Sequence, residues 1–126
     1  MSTTTDPLDR AQIDLLLSLD DGAGEALAEI VEEYQTMSWE GRHDLRRELR
    51  DADHTALART AHALKGASAN LGANDLAQVC AELERHARQV ELVGSDEFDD
   101  ANALMERFEA EFTRVQVALM LLVPEG

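Results

Sequence analysis

Apolar residues recur along this chain in steps of three and four, the spacing that lines one face of an α-helix. The clearest stretch is near the C-terminus: Phe98, Ala101, Met105, Phe108, Phe112, Val115, Leu119 and Leu122 follow one another without a fault. It predicts a helix from Glu97 to Leu122, opened by Ser95 or Asp96. Before it, Leu76, Val79, Cys80, Leu83, Ala87 and Val90 mark a helix opened by Asn74-Asp75. Upstream again, Asp53 caps a helix that carries Leu57, Leu64 and Leu71 in one stripe and stops at Gly72. The stretch from Ala23 to Arg50 buries Leu27, Ile30, Val31, Tyr34, Leu45 and Leu49. Its middle is weaker. Ser38 and Gly41 fall where larger apolar residues belong and Trp39 is out of phase, so a bend is expected there. At the start, Asp9 reads as an N-cap with Gln12 in the capping-box position, and Leu8 is placed to staple onto Ile13. A short helix from Arg10 to Leu19 follows, broken by Asp20-Asp21-Gly22.

Short connections make sequential helices antiparallel neighbours. The expected fold is all-α: an up-down antiparallel four-helix bundle with a short additional N-terminal helix. Residues 1–7 read as a disordered lead-in and 8–123 as the bundle domain. The polar lead-in after Met1 reads as the start of a complete reading frame. Composition agrees, since 126 residues suit one domain and 44% are hydrophobic, while two prolines and seven glycines are too few for the turns of a β-sandwich.

Charge narrows the partners. The net charge of −15 disfavours nucleic acid and anionic membrane surfaces, both of which reward a basic face. Cys80 is the single cysteine, so no intrachain disulfide forms, and it reads as an inert core thiol. No apolar run follows Met1 to suggest a signal peptide, and Val117–Val123 is far shorter than the roughly 20 residues of a membrane span. A cytoplasmic setting is expected. The Val115–Val123 stretch is most simply core, with a cover for the first helix or a dimer seam as alternatives; a monomer is expected. A di-iron bundle needs two Glu-x-x-His motifs, and Glu40-Gly-Arg-His43 stands without a second, so no metal is expected.

The chemistry concentrates in Ala58-Arg-Thr-Ala-His62-Ala-Leu-Lys65-Gly66-Ala-Ser68-Ala-Asn70-Leu71-Gly72. On a helical wheel, Leu57, Leu64 and Leu71 fall within about 40° of the pole opposite His62. His62 thus points away from the core. Its neighbours at helical spacing are Lys65 and the small residues Ala58, Gly66 and Ala69, where a solvated face of so acidic a chain would carry Glu or Arg. Gly66 in a helix interior costs about 1 kcal/mol relative to Ala, and close approach of another surface is the natural compensation. Lys65 is the only lysine, while arginine appears ten times. A compact ammonium one turn from His62 can neutralise an anion held on the imidazole. Ser68 and Asn70 read as structural.

His62-Ala-Leu-Lys65-Gly66-Ala-Ser68-Ala-Asn70-Leu71-Gly72-Ala73 resembles the signature of the histidine-containing phosphotransfer (HPt) domain of phosphorelays. The pattern extends upstream through Leu45, Leu49, Asp53, Leu57 and Arg59, and downstream through Leu76, Cys80, Leu83 and Glu84. The resemblance implies that His62 accepts a phosphoryl group from a receiver-domain aspartate and passes it to another response-regulator receiver. It implies that Lys65 supports the phosphohistidine and that Gly66 admits the partner. Glu84, 22 residues beyond His62, falls where the family carries a Gln or Glu that orients the imidazole. Ala58, Arg59, Gly66, Ala69, Ala73 and Asn74 form the expected docking set. The chain itself would be a phosphocarrier and not an enzyme, working with a sensor or hybrid histidine kinase and binding no cofactor. The Mg²⁺ is expected on the partner receiver. Gly41, Ser38 and Trp39 depart from the family's second long helix. An acidic helical adaptor that binds receivers or partner helices without being phosphorylated is the alternative.

Overall fold

A computed structural model of the chain describes residues 6–18, 25–94 and 98–122, with the backbone alone at 98–100. Five α-helices and no strand occur among them: α1 Arg10–Ser18, α2 Glu25–Arg50, α3 His54–Asn70, α4 Asn74–Val93 and α5 Phe98–Leu122. Residues 1–5 of the expected lead-in, the Asp20-Asp21-Gly22 break, the Ser95 or Asp96 cap and the inward placement of the Phe98 side chain lie outside what is described.

Cross-helix contacts fix the directions. Glu48 meets Thr60 while Tyr34 meets Ser68, so α2 and α3 run antiparallel. His62 meets Glu84 and Thr55 meets Glu91, so α3 and α4 do too. Arg42–Glu109 and Ser38–Gln116 pair α2 with α5 in the same sense. Glu82 and Arg107 tie α4 to α5. The core between these helices holds Leu27, Val31, Leu45, Leu57, Leu64, Leu71, Leu76, Val79, Leu83, Phe108, Phe112, Val115 and Leu119.

The helix ends follow local chemistry. Asp53 accepts a hydrogen bond from Ala56 N, capping α3 as its sequence predicts. Gly72 takes φ +84°, the left-handed geometry that ends α3 and turns the chain into α4. Asp9 Oδ1 accepts from Ala11 N at 2.9 Å and caps α1. The capping box is not closed, however. Gln12 spends its side chain on Asn70 O at 2.8 Å, while Asp9 N donates to Gly72 O at 2.7 Å. The N-terminal segment is thereby tied onto the α3–α4 turn.

Two readings of the apolar pattern are corrected. Ile30 is exposed, because the α2 face buries Leu27, Val31 and Tyr34 one step round the wheel. Among the described residues of the Val115–Val123 stretch, 115–122, only Val115, Gln116 and Leu119 are buried, whereas Val117, Met120 and Leu121 face outward. The weak middle of α2 turns out to be a close-packed seam within one uninterrupted helix. Ser38 and Gly41 are buried, and a Cβ built on Gly41 would lie 2.8 Å from Leu64 Cδ2. The glycine makes room for the leucine of α3 that lies behind His62. Ser38 Oγ accepts from Gln116 Nε2 at 3.1 Å, which satisfies both buried groups. Outside the seam, Trp39 sets its ring edge-on to Phe112 at 4.9 Å and Arg42 lies over both rings.

Gly41→Val tests this seam. The added methyls have nowhere to go against a buried leucine, so urea unfolding should show a loss of about 1–3 kcal/mol. An unchanged midpoint would mean that α2 and α3 are not so close.

Candidate functional site

His62 lies on α3 between the cap at Asp53 and the turn at Gly72, with 63% of its side chain exposed. Behind it the helix buries Leu57, Ala58, Ala61, Leu64 and Ser68. That arc is wider than the leucine stripe alone and is skewed toward α4. Small residues on this flank let α4 come close. One buried hydroxyl pair, Tyr34 and Ser68 at 2.8 Å, pins α3 to α2; burial pushes the Tyr34 phenol up to about 12.

The skew brings Glu84 of α4 to the imidazole. His62 Nδ1 lies 3.0 Å from Glu84 Oε2, and Lys65 Nζ donates to Glu84 Oε1 at 2.9 Å. Arg88, one turn further along α4, donates to Oε2 through Nε at 3.1 Å and Nη2 at 3.0 Å. Only 12% of the Glu84 side chain is exposed. Desolvation pushes its carboxyl up, but the hydrogen bonds from Lys65, Arg88 and His62 outweigh this and hold it at about 2. A carboxylate that has lost its proton can only accept, so Nδ1 is the donor in the His62–Glu84 bond. Nε2 is left with the ring's lone pair, facing outward, and makes no hydrogen bond to the described residues.

Around His62, Arg59, Gly66 and Ala69 are exposed, and a Cβ on Gly66 would meet nothing within 4 Å. Two residues expected on this face are not on it. Ala58 is fully buried, since it sits on the α4 flank, level with Arg88 in the antiparallel register. Ala73 is also fully buried, under the N-terminal segment that binds the turn at Gly72. Asn74 is exposed, but its amide donates to Asp9 Oδ2 at 3.3 Å. It lies beyond Asn70, the end of α3, which is itself about 12 Å along the helix axis from His62. The exposed patch is therefore smaller than the sequence implied: Arg59, His62, Gly66 and Ala69, with Lys65 half-exposed. Arg88 is the site residue that sequence reading missed. Its signal was there, four residues after Glu84 on one helix face, the spacing of a helical ion pair.

The arrangement can present an outward nucleophilic nitrogen, fix its tautomer and place an ammonium beside it. Among the described residues, no group of three or more His, Cys, Asp or Glu side chains is placed to hold a metal ion. No helix there is long and apolar enough to cross a membrane.

The depressed Glu84 carboxyl has a stability consequence. A group whose pKa falls on folding contributes fully above its unfolded value, near 4.5, and loses that contribution as pH drops toward about 2. The stability gap between wild type and Glu84→Gln, read by urea unfolding across pH, should be widest above pH 4.5 and close toward pH 2. A gap that does not change with pH would contradict the shared ionised carboxylate.

Comparison with known proteins bears on this geometry. The family model described as the Hpt domain matches residues 27–118, which takes in α3, α4 and most of α2 and α5. Among solved structures, the chain is similar to the crystal structure of histidine-containing phosphotransfer protein B (HptB) from Pseudomonas aeruginosa PAO1. The two share 33% identity over 94% of this chain and 95% of that one, with a TM-score of 0.75. No curated protein matches the chain. HPt domains are phosphocarrier modules rather than kinases, and they work with histidine kinases and response regulators in two-component phosphorelays. An all-α chain that shares both that domain's pattern and its structure belongs to the Hpt domain family and has a histidine phosphotransfer role in phosphorelays.

Proposed function

We propose that His62 is the phosphoacceptor, taking a phosphoryl group from a receiver-domain aspartate and passing it to another response-regulator receiver. The observation that carries this reading is one carboxylate, Glu84, holding both Nδ1 of an exposed histidine and the ammonium of Lys65. In the forward step, Nε2 attacks the phosphorus in line; the Nε2–P bond forms as the acyl-phosphate P–O bond breaks, and the aspartate leaves as a carboxylate. The proton stays on Nδ1, and Glu84 stabilises the positive charge that grows on the ring. Lys65 offsets charge on the phosphoryl oxygens. The Mg²⁺ belongs to the partner receiver. Phosphohistidine and aspartyl phosphate are both high-energy species, so the step is reversible.

The supporting fold is an up-down bundle of α2 to α5, with α1 a short additional helix at the α3–α4 turn. Gly66 and Ala69 leave a low surface around His62 for the receiver, and Arg59 faces its acidic pocket. The groups this protein contributes, His62, Lys65 and Glu84, all come from one copy of the chain, so a monomer suffices. The chain has no kinase activity of its own in this scheme and acts in the cytoplasm, where receivers are phosphorylated.

Incubation with a phosphorylated receiver should place acid-labile phosphate on wild type and none on His62→Gln. Gly66→Gln should cut transfer from the receiver by tenfold or more, while its melting temperature and its labelling by phosphoramidate, a donor too small to need docking, stay near wild type. Receiver binding without label would select an unphosphorylated adaptor instead.

A further inference from the structure

Glu84 is bound from both sides of the α3–α4 seam, and the two sides face different demands during transfer. Lys65 stands on α3 one turn from His62, and its ammonium occupies Oε1 of Glu84. A phosphoryl group on Nε2 offers that ammonium a second, more highly charged partner. If Lys65 turns toward it, Glu84 loses a cation at the moment its carboxylate must hold Nδ1–H. With 12% of its side chain exposed, a carboxylate left without a cation is poorly hydrated. Arg88 meets this need. It comes from α4, the same helix as Glu84, so its hold does not depend on where Lys65 points. Its Nε and Nη2 both reach Oε2, the oxygen that also takes the imidazole proton. Arg59 and Arg85, the other exposed arginines of these two helices, make no hydrogen bond to Glu84.

We propose that Arg88 is a positioning residue for phosphotransfer: it holds the Glu84 carboxylate aimed at His62 Nδ1, which frees Lys65 to move from Glu84 to the phosphoryl group. The proposal rests on His62 being the phosphoacceptor. Arg88 acts through Glu84 and does not touch the phosphoryl oxygens. Its side chain is 52% exposed, so its removal leaves the fold in place.

The test uses the full chain with phosphoramidate, which takes the docking surface out of the readout. Arg88→Ala and the length-preserving Arg88→Gln should each slow phosphorylation about tenfold. Long-range ¹H–¹⁵N spectra of His62 should move from the Nδ1–H tautomer toward a mixture. Arg88→Lys should recover part of both. In a Glu84→Gln background, Arg88→Ala should add nothing, because the group it acts through is gone. Wild-type rate and tautomer in Arg88→Ala and Arg88→Gln would overturn the proposal, as would a full further loss in the Glu84→Gln background. Wild type that takes no label on His62 would instead sink the phosphoacceptor reading itself, so the two failures are distinct.

Discussion

The site depends on a shared carboxylate. Glu84 reaches across the α3–α4 seam to the imidazole and the ammonium of the facing helix while an arginine of its own helix holds it from behind. An isolated surface ion pair contributes little, but three donors on one largely buried carboxylate form a network, and networks hold geometry. The network decides which nitrogen of His62 carries the proton. It thereby converts a surface histidine, which samples both tautomers in water, into one with a defined nucleophilic edge.

The seam exists because of residues that do little on their own. Ala58, Ala61 and Ser68 line the flanks of α3 and are buried, so its neighbours approach closely. Gly41 accepts Leu64 from the other side. α3 is wedged between α2 and α4 by small side chains, and the one arc left open is the arc that carries His62, Gly66 and Ala69. The N-terminal segment closes the far end by bonding to Gly72 and Asn74. Burial and exposure on α3 are thus two results of one packing pattern.

Much of this was legible in the sequence, and what was not has physical causes. The amphipathic α4 and α5 were read almost residue by residue, because bulky side chains at helical spacing leave one way to face inward. The caps at Asp9 and Asp53 were equally plain. Ser38 and Gly41 were misread as weakness: spacing records which positions are large, but not that a small one is filled by a leucine from another helix. The same blindness placed Ala58 on the open face. An alanine carries no mark of which side it lies on, and the leucine stripe set the wheel's pole some way from the true centre of burial. Ala73 failed for another reason: Asp9 bonds to Gly72 and Asn74 on either side of it, a tertiary contact with no local signal. Glu84 was found through a family pattern, whereas Arg88 sat at a readable ion-pair spacing.

The central claim is that Glu84 reserves Nδ1 and leaves Nε2 of His62 to do the chemistry. The direct measurement is one-bond ³¹P–¹⁵N coupling in chain labelled with ¹⁵N-histidine and phosphorylated to completion by phosphoramidate. The account predicts a single coupled nitrogen, Nε2 of His62. Phosphorus on Nδ1, or on His43, His54 or His86, would contradict it.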